Sequence, residues 1–164
     1  MERLDYRRIA PAAMTAMLDL QRYVDRCSLE KKLLELAKLR ASEINGCAYC
    51  VDMHSKDARA LGETEQRLYA VAVWREAPFF SDRERAALAW TESVTLISQT
   101  GVPDEVYALA RSQFSEKELL DLTMAIIAIN SWNRLAVSFR ALVGSYQPTV
   151  ALEMEGESNA TSSS

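Results

Sequence analysis

Apolar residues recur along most of this chain at intervals of three and four, the spacing that lines one face of a helix. The first stripe follows Pro11, whose fixed φ and missing N–H suit a first helical turn. It runs through Met14, Met17, Leu18 and Val24 and reads as ordinary core. Residues 1–10 carry no such pattern and read as an irregular lead-in. Ser28 is placed to cap a second helix, in which Leu29, Leu33, Leu36, Ala37 and Ile44 recur at helical spacing. Asn45-Gly46 stops that helix, because glycine accepts the left-handed backbone a helix end favours. A third helix starts at once and runs to Gly62, so residues 28–62 form a helical hairpin with a very tight turn.

Thr64 is placed to cap the next segment, "EQRLYAVAVWRE", which Pro78 ends. Ser81 and Glu84 form a capping box, in which hydroxyl and carboxylate satisfy the first free N–H groups reciprocally. It opens a helix with Ala87, Trp90, Val94 and Ile97 on one face, closed by Thr100-Gly101. Pro103 begins a short helix to about Gln113. Ser115 and Glu118 make a second capping box, and the helix behind it, apolar nearly all round to about Val143, is the expected buried centre. Beyond Tyr146 the chain turns acidic and Ser-rich. The pattern therefore predicts an all-α domain of six to eight helices over residues 1–146 and a disordered tail over 147–164. Five glycines and four prolines among 164 residues agree with that class.

Composition narrows the function. Apolar residues make up 49% and charged residues 26%, enough for one soluble domain with its own core. A net charge of -4 speaks against nucleic acid as a partner, since phosphate binding needs clustered Lys and Arg. The longest apolar run, 119–129, is interrupted by Asp121 and is too short to cross a bilayer. No charged start followed by an apolar stretch marks a secretory leader, so no membrane association is expected and the cytoplasm is the expected compartment. There a C-x-x-C reads as a redox pair or metal site rather than a structural disulfide.

Two of the three cysteines and the only histidine fall within "CAYCVDMH", residues 47–54. Cys47, Cys50 and His54 lie within roughly a 60° arc of one helix face. At a helix start, free N–H groups and the helix dipole favour a thiolate. On position alone this favours Cys47 as the nucleophile. One thiolate of such a pair can attack a substrate while the other resolves the product. His54, about 6 Å along the axis from Cys50, can take a thiol proton directly or through one water. In an antiparallel hairpin turning at Gly46, Glu35 reaches the level of His54 and can complete a Glu–His–Cys relay. Two plainer readings stand beside this one. The cysteines can be small buried hydrophobes, and Glu35 can form a solvated pair with Lys31 or Lys38. A zinc site of Glu35, Cys47, Cys50 and His54 is a third, but Cys47 and His54 stand about 10.5 Å apart along an intact helix, too far for one tetrahedral ion. Cys27 has no partner nearby in sequence and reads as an inert buried thiol; Trp74, Trp90 and Trp132 read as core or subunit-contact residues.

Glu35, Cys47, Cys50 and His54 at these spacings resemble the signature of AhpD-like alkylhydroperoxidases, in the carboxymuconolactone decarboxylase superfamily. The likeness extends through "EINGCAYCVDMHSKDARALGETEQRLYAVAVWREAPFFSDRERAALAWTESVT" to "NSWNRLAVSFR", about residues 10–145 in all. It implies an all-α fold, a homo-trimer or homo-hexamer, and a peroxidase that needs no metal, flavin or haem cofactor. It further implies that Cys50 is the peroxidatic thiolate, Cys47 the resolving thiol, and Glu35 with His54 the proton relay. The implied partners are a hydroperoxide substrate and an external dithiol or lipoyl-type reductant. The chain departs from the best-known peroxidases at Tyr49, where they carry a histidine. Its phenol can orient a water or a hydroperoxide oxygen but is no ready base near pH 7. The same superfamily holds lactone decarboxylases, which work without the cysteine pair. A non-catalytic redox sensor is a further alternative.

Overall fold

The structure is a computed structural model that describes residues 1–148. The helices are α1 (Tyr6–Ile9), α2 (Pro11–Arg26), α3 (Lys31–Ile44), α4 (Ala48–Ala60), α5 (Glu65–Ala70), α6 (Asp82–Thr95), α7 (Ile97–Thr100), α8 (Asp104–Gln113) and α9 (Glu116–Phe139). A 3-10 turn, Val71–Val73, extends α5. No strand occurs among the described residues. The count exceeds the expected six to eight only through α1 and α7, single turns of four residues each. Residues 149–164, most of the segment expected to be a disordered tail, lie outside the described residues.

The centre of the fold is α3, not α9. Leu34, Leu36 and Leu39 of α3 are each at most 2% exposed, and α3 packs against α4, α6 and α9. Burying side chains of this size stabilises by roughly 1.5–3 kcal/mol each. One apolar cluster joins α3 to α6 and α9 through Leu34, Trp90, Leu122 and Ile126. A second joins α3 to α4, α5 and α6 through Leu36, Leu68, Trp74 and Leu88. The nearly continuous apolar pattern of α9 predicts burial all round. Instead Leu120, Ile127 and Val137 face outward from the single chain.

Local signals hold in part. Both capping boxes form, at Ser81–Glu84 and Ser115–Glu118, and Thr64 caps α5. Ser28, expected to cap α3, does not; the N-cap is Glu30, whose side chain makes no capping bond. Residues 1–10 are not wholly irregular, because Asp5 accepts the Arg8 N–H at 3.1 Å and holds the single turn of α1. Ile97 leaves the α6 face and is exposed, since α6 ends at Thr95. Helix α9 stops at Phe139, short of the expected Val143. Arg140 adopts a left-handed backbone (φ 55°) and the Ala141 N–H returns to the Ala136 carbonyl at 3.0 Å. That is the helix-ending geometry glycine usually supplies, here made by an arginine that carries no such signal.

The turn between α3 and α4 is as tight as the sequence predicts. Gly46 sits at φ +65°, and the Cys47 N–H returns to the Ser42 carbonyl at 2.9 Å. A Cβ added at Gly46 would meet nothing within 4 Å, so only backbone strain opposes a side chain there. Gly46→Ala is therefore expected to cost about 1 kcal/mol in urea unfolding. An unchanged midpoint would mean that the left-handed residue does not set this turn.

Candidate active site

The turn sets the first cysteine. Cys47 occupies the N-cap of α4, one position earlier than the first-turn place its spacing suggests, and its Sγ accepts the Cys50 N–H at 3.4 Å. It stands where a Ser, Thr or Asp oxygen is usual. Cys50, one turn on, brings its Sγ to 2.7 Å from that of Cys47. An S–S bond measures about 2.05 Å, so closing a disulfide needs a shift well under 1 Å. Both residues are buried and neither is bonded. The hydrogen bond between the two sulfurs, together with the Cys50 backbone N–H, outweighs burial and brings Cys47 down to about 7. Cys50, held by the same bond and buried, is pushed well above the ordinary thiol range. Two thiols this close ionise as a pair rather than independently.

Glu35 on α3 reaches across the hairpin, and its Oε2 lies 2.7 Å from His54 Nδ1. Its other oxygen accepts from Lys38 Nζ at 2.8 Å. Glu35 and Lys38 are each 8% exposed, so this is a buried pair and not the solvated one a surface helix would carry. Lys31 turns away to the Asp25 carbonyl. Burial opposes the Glu35 charge, but the His54 hydrogen bond and the charges of His54 and Lys38 prevail and hold its carboxyl at about 2. An ionised carboxylate only accepts, so His54 Nδ1 carries a proton, and in the neutral ring Nε2 is then the free nitrogen. Among the described residues the buried Nε2 finds no hydrogen-bond partner.

Cys50, His54 and Glu35 open on one cavity of about 540 Å³. Cys47 is not part of its wall. Tyr49 is: half-buried, it accepts from Arg7 Nη2 at 3.4 Å. The opposite wall comes from α2, where Met14 and Leu18 line the cavity rather than the core expected of their stripe. Trp132 of α9 closes a further side, its indole N–H directed to Gln21 Oε1 at 3.3 Å. Trp74 and Trp90 are buried core, as expected, and Cys27 is half-buried at the edge of the α3–α6–α9 cluster.

Several wall residues lack a sequence pattern. Arg7 enters from the segment read as irregular. Asp57 lies three residues after His54 on the same helix, a spacing that could have flagged it. Tyr146 could not have been found locally. It arrives on the segment after α9, which Lys56 holds by the carbonyls of Gly144 (3.3 Å) and Tyr146 (3.0 Å). Its phenol donates to Asp57 Oδ1 at 2.7 Å. Glu35, His54 and Asp57 bring ligand atoms within 4.8 Å of one another, a different set from the zinc ligands weighed above. Lys38 and Tyr146 already engage its two carboxylates. Asn130 and Arg134 pair with each other on α9, the guanidinium donating to Asn130 Oδ1 at 3.0 Å.

A model of the carboxymuconolactone decarboxylase family matches residues 10–93. The uncharacterized protein YdfG of Bacillus subtilis is 44% identical over 137 residues, 84% of this chain and 93% of that protein. The uncharacterized YnjA of Escherichia coli is 32% identical over 101 residues, 62% of this chain and 55% of that protein. A crystal structure from Agrobacterium tumefaciens, of a protein of unknown function suggested to be the antioxidant defence protein AhpD, superposes with a TM-score of 0.86. It is 44% identical and covers 89% of this chain and 100% of its own. The debrominase Bmp8 shares the fold alone, with a TM-score of 0.74 at 20% identity over 82% of this chain and 73% of that one. No helix among the described residues is long and apolar enough to cross a membrane.

The buried carboxylate predicts a pH dependence of stability. In the unfolded chain Glu35 takes up a proton near its ordinary 4.5, in the folded protein only near about 2. Its contribution is complete above the unfolded value and is lost as pH falls from 4.5 towards 2, by up to about 3 kcal/mol. Urea unfolding followed from pH 6 to 2 is expected to show this fall, flattened in Glu35→Gln. Parallel curves for the two proteins would contradict it.

Proposed function

The chain belongs to the carboxymuconolactone decarboxylase family as an AhpD-like member, and from that premise we propose that it is a thiol-dependent peroxidase acting on organic hydroperoxides. One observation carries this reading: two sulfurs 2.7 Å apart, one of them on a cavity that it shares with a histidine backed by a buried carboxylate. His54 Nε2 draws the proton that Cys50 shares with Cys47. The Cys50 thiolate attacks the terminal oxygen of the hydroperoxide; an S–O bond forms, the O–O bond breaks, and the departing alkoxide takes a proton from His54 to leave as alcohol. The Cys47 thiolate then attacks the sulfenic sulfur. An S–S bond forms and hydroxide leaves, taking a proton from solvent to become water. The hydroperoxide has gained two electrons and the cysteine pair has lost two. An external dithiol, such as a lipoyl-type group, restores the pair by exchange.

Acidity favours Cys47 as the thiolate, whereas access favours Cys50. Access decides, because the nucleophile must touch the peroxide and only Cys50 lines the cavity. The proton shift between them runs along a single short hydrogen bond. The walls of Met14, Leu18, Met53, Ile129 and Trp132 suit an apolar organic group better than hydrogen peroxide. Tyr49, beside Cys50, is placed to orient the peroxide oxygens.

The test is turnover of cumene hydroperoxide with dihydrolipoamide as reductant. Cys50→Ser is expected to fall to background, and Cys47→Ser to consume about one equivalent of peroxide and stop as a sulfenic acid trapped by dimedone. Unchanged steady-state turnover in both variants would sink this mechanism. A decarboxylase would survive Cys50→Ser, and a sensor would oxidise once with no sustained turnover in the unaltered protein. The outward apolar side chains of α9 favour self-association as a trimer or hexamer. Light scattering is expected to give a mass three or six times 18.4 kDa, and a monomer at micromolar concentration would refute it.

A further inference from the structure

Besides its histidine, the cavity wall carries the charged side chains of Arg7, Asp25, Glu35, Lys38 and Asp57. All but one are already matched. Glu35 is engaged by His54 and by Lys38, which commits Lys38 as well. Asp57 accepts from the Tyr146 phenol at 2.7 Å, and Asp25 from Gln21 Nε2 at 2.8 Å. Arg7 is the exception. Its guanidinium donates to Tyr49 Oη at 3.4 Å and lies 6.0 Å from the centroid of the Tyr6 ring. Among the described residues no carboxylate pairs with it. A guanidinium holds five N–H donors in a fixed fork, so most of this one is left for a ligand.

The segment that carries Arg7 is pinned in place. The Arg3 N–H donates to the Phe139 carbonyl at 2.9 Å, and the Arg3 guanidinium to the Ser138 carbonyl at 3.2 Å. Tyr6 is 7% exposed, and its ring centroid stands 5.7 Å from that of Phe139. These contacts dock the start of the chain on the end of α9 and bring Arg7 to the cavity beside Tyr49. The wall is polarised as a result. Asp25 lies in the last turn of α2, whereas Arg7 precedes its first turn. Asp57 lies about 12 Å along the α4 axis from Tyr49, the residue Arg7 touches. An anionic group in the cavity is therefore attracted to the Arg7 end and repelled from the other.

We propose that Arg7 is a carboxylate-binding residue and that the cavity takes apolar carboxylic acids. The carboxylate pairs with the guanidinium fork, whose geometry it matches, while the chain lies along Met14 and Leu18 of α2 and Trp132 of α9. The inference rests on the peroxidase reading only for the hydroperoxide such an acid carries. On that reading the substrate is the hydroperoxide of an apolar acid, held by one end, in place of a neutral alkyl hydroperoxide. Because Arg7 is exposed to solvent, the pair is screened and gives a preference of about fivefold, not an absolute selection.

The main test needs no peroxide. Trp132 lines the cavity, whereas Trp74 and Trp90 are buried core, so a change in tryptophan fluorescence reports occupancy. The reduced, full-length protein is titrated at pH 7 with decanoate and with decanol. The ratio of the decanoate to the decanol affinity is expected to fall about fivefold in Arg7→Gln. Arg7→Lys, which keeps the charge but not the fork, is expected to recover part of it. In the unaltered protein, the Arg7 Nε–H resonance is expected to move with decanoate and to stay in place with decanol. A ratio unchanged in Arg7→Gln, an Arg7 resonance indifferent to decanoate, or no binding of decanoate at all overturns the proposal. With a fatty-acid hydroperoxide and its methyl ester as substrates, the ratio of their kcat/KM values is expected to fall in Arg7→Gln by the same factor. Arg7-dependent decanoate binding without turnover of either hydroperoxide would refute the peroxidase reading and leave the carboxylate site standing.

Discussion

A carboxylate with little access to water is the constraint around which this protein is organised. An uncompensated charge of that kind costs several kcal/mol, and Glu35 escapes the cost only by having both oxygens engaged. Lys38 satisfies one from within α3; His54 satisfies the other from α4. The second bond can form only if the two helices return side by side in one register. The left-handed Gly46 and the short Asn45–Cys47 turn make that register reachable. Once formed, the bond also fixes the histidine tautomer, because an ionised carboxylate accepts from Nδ1 and leaves Nε2 to face chemistry. Fold and proton handling therefore depend on the same 2.7 Å interaction.

The cysteines show a comparable economy. A sulfur at the N-cap substitutes for the usual capping oxygen, so Cys47 closes α4 and gains an N–H that favours its anion. The same position buries it behind Cys50. Acidity and access to the cavity are thereby divided between two buried neighbours. A single fully exposed acidic thiol would invite oxidation by any small oxidant. In the peroxidase reading proposed above, dividing the properties makes reaction depend on a proton shift within the pair.

How much of this was legible in the sequence follows from how local each feature is. The hairpin turn, both capping boxes and the reach from Glu35 to His54 depend on residues a few turns apart, and spacing revealed them. The wall of the cavity was not legible, since it is assembled from α1, α2, α9 and the segment after it. Met14 and Leu18 carry the apolar spacing of a core stripe, and nothing in a stripe tells whether it faces other side chains or a cavity. Lys38 carries a similar ambiguity: a charge three residues from Glu35 looks the same buried or solvated. The end of α9 was missed because Arg140 takes a backbone conformation that its residue type does not advertise.

The division between local and non-local features also separates chemistry from selectivity. Glu35, Cys47, Cys50 and His54 sit on one hairpin, where a short run of sequence fixes their mutual geometry. The surfaces that meet the remainder of a substrate come from elements far apart in the chain, each free to vary without disturbing the Glu35–His54 bond or the sulfur pair. Changes in α2 or in the segment carrying Tyr146 should then retune what the cavity accepts while the hairpin keeps its geometry.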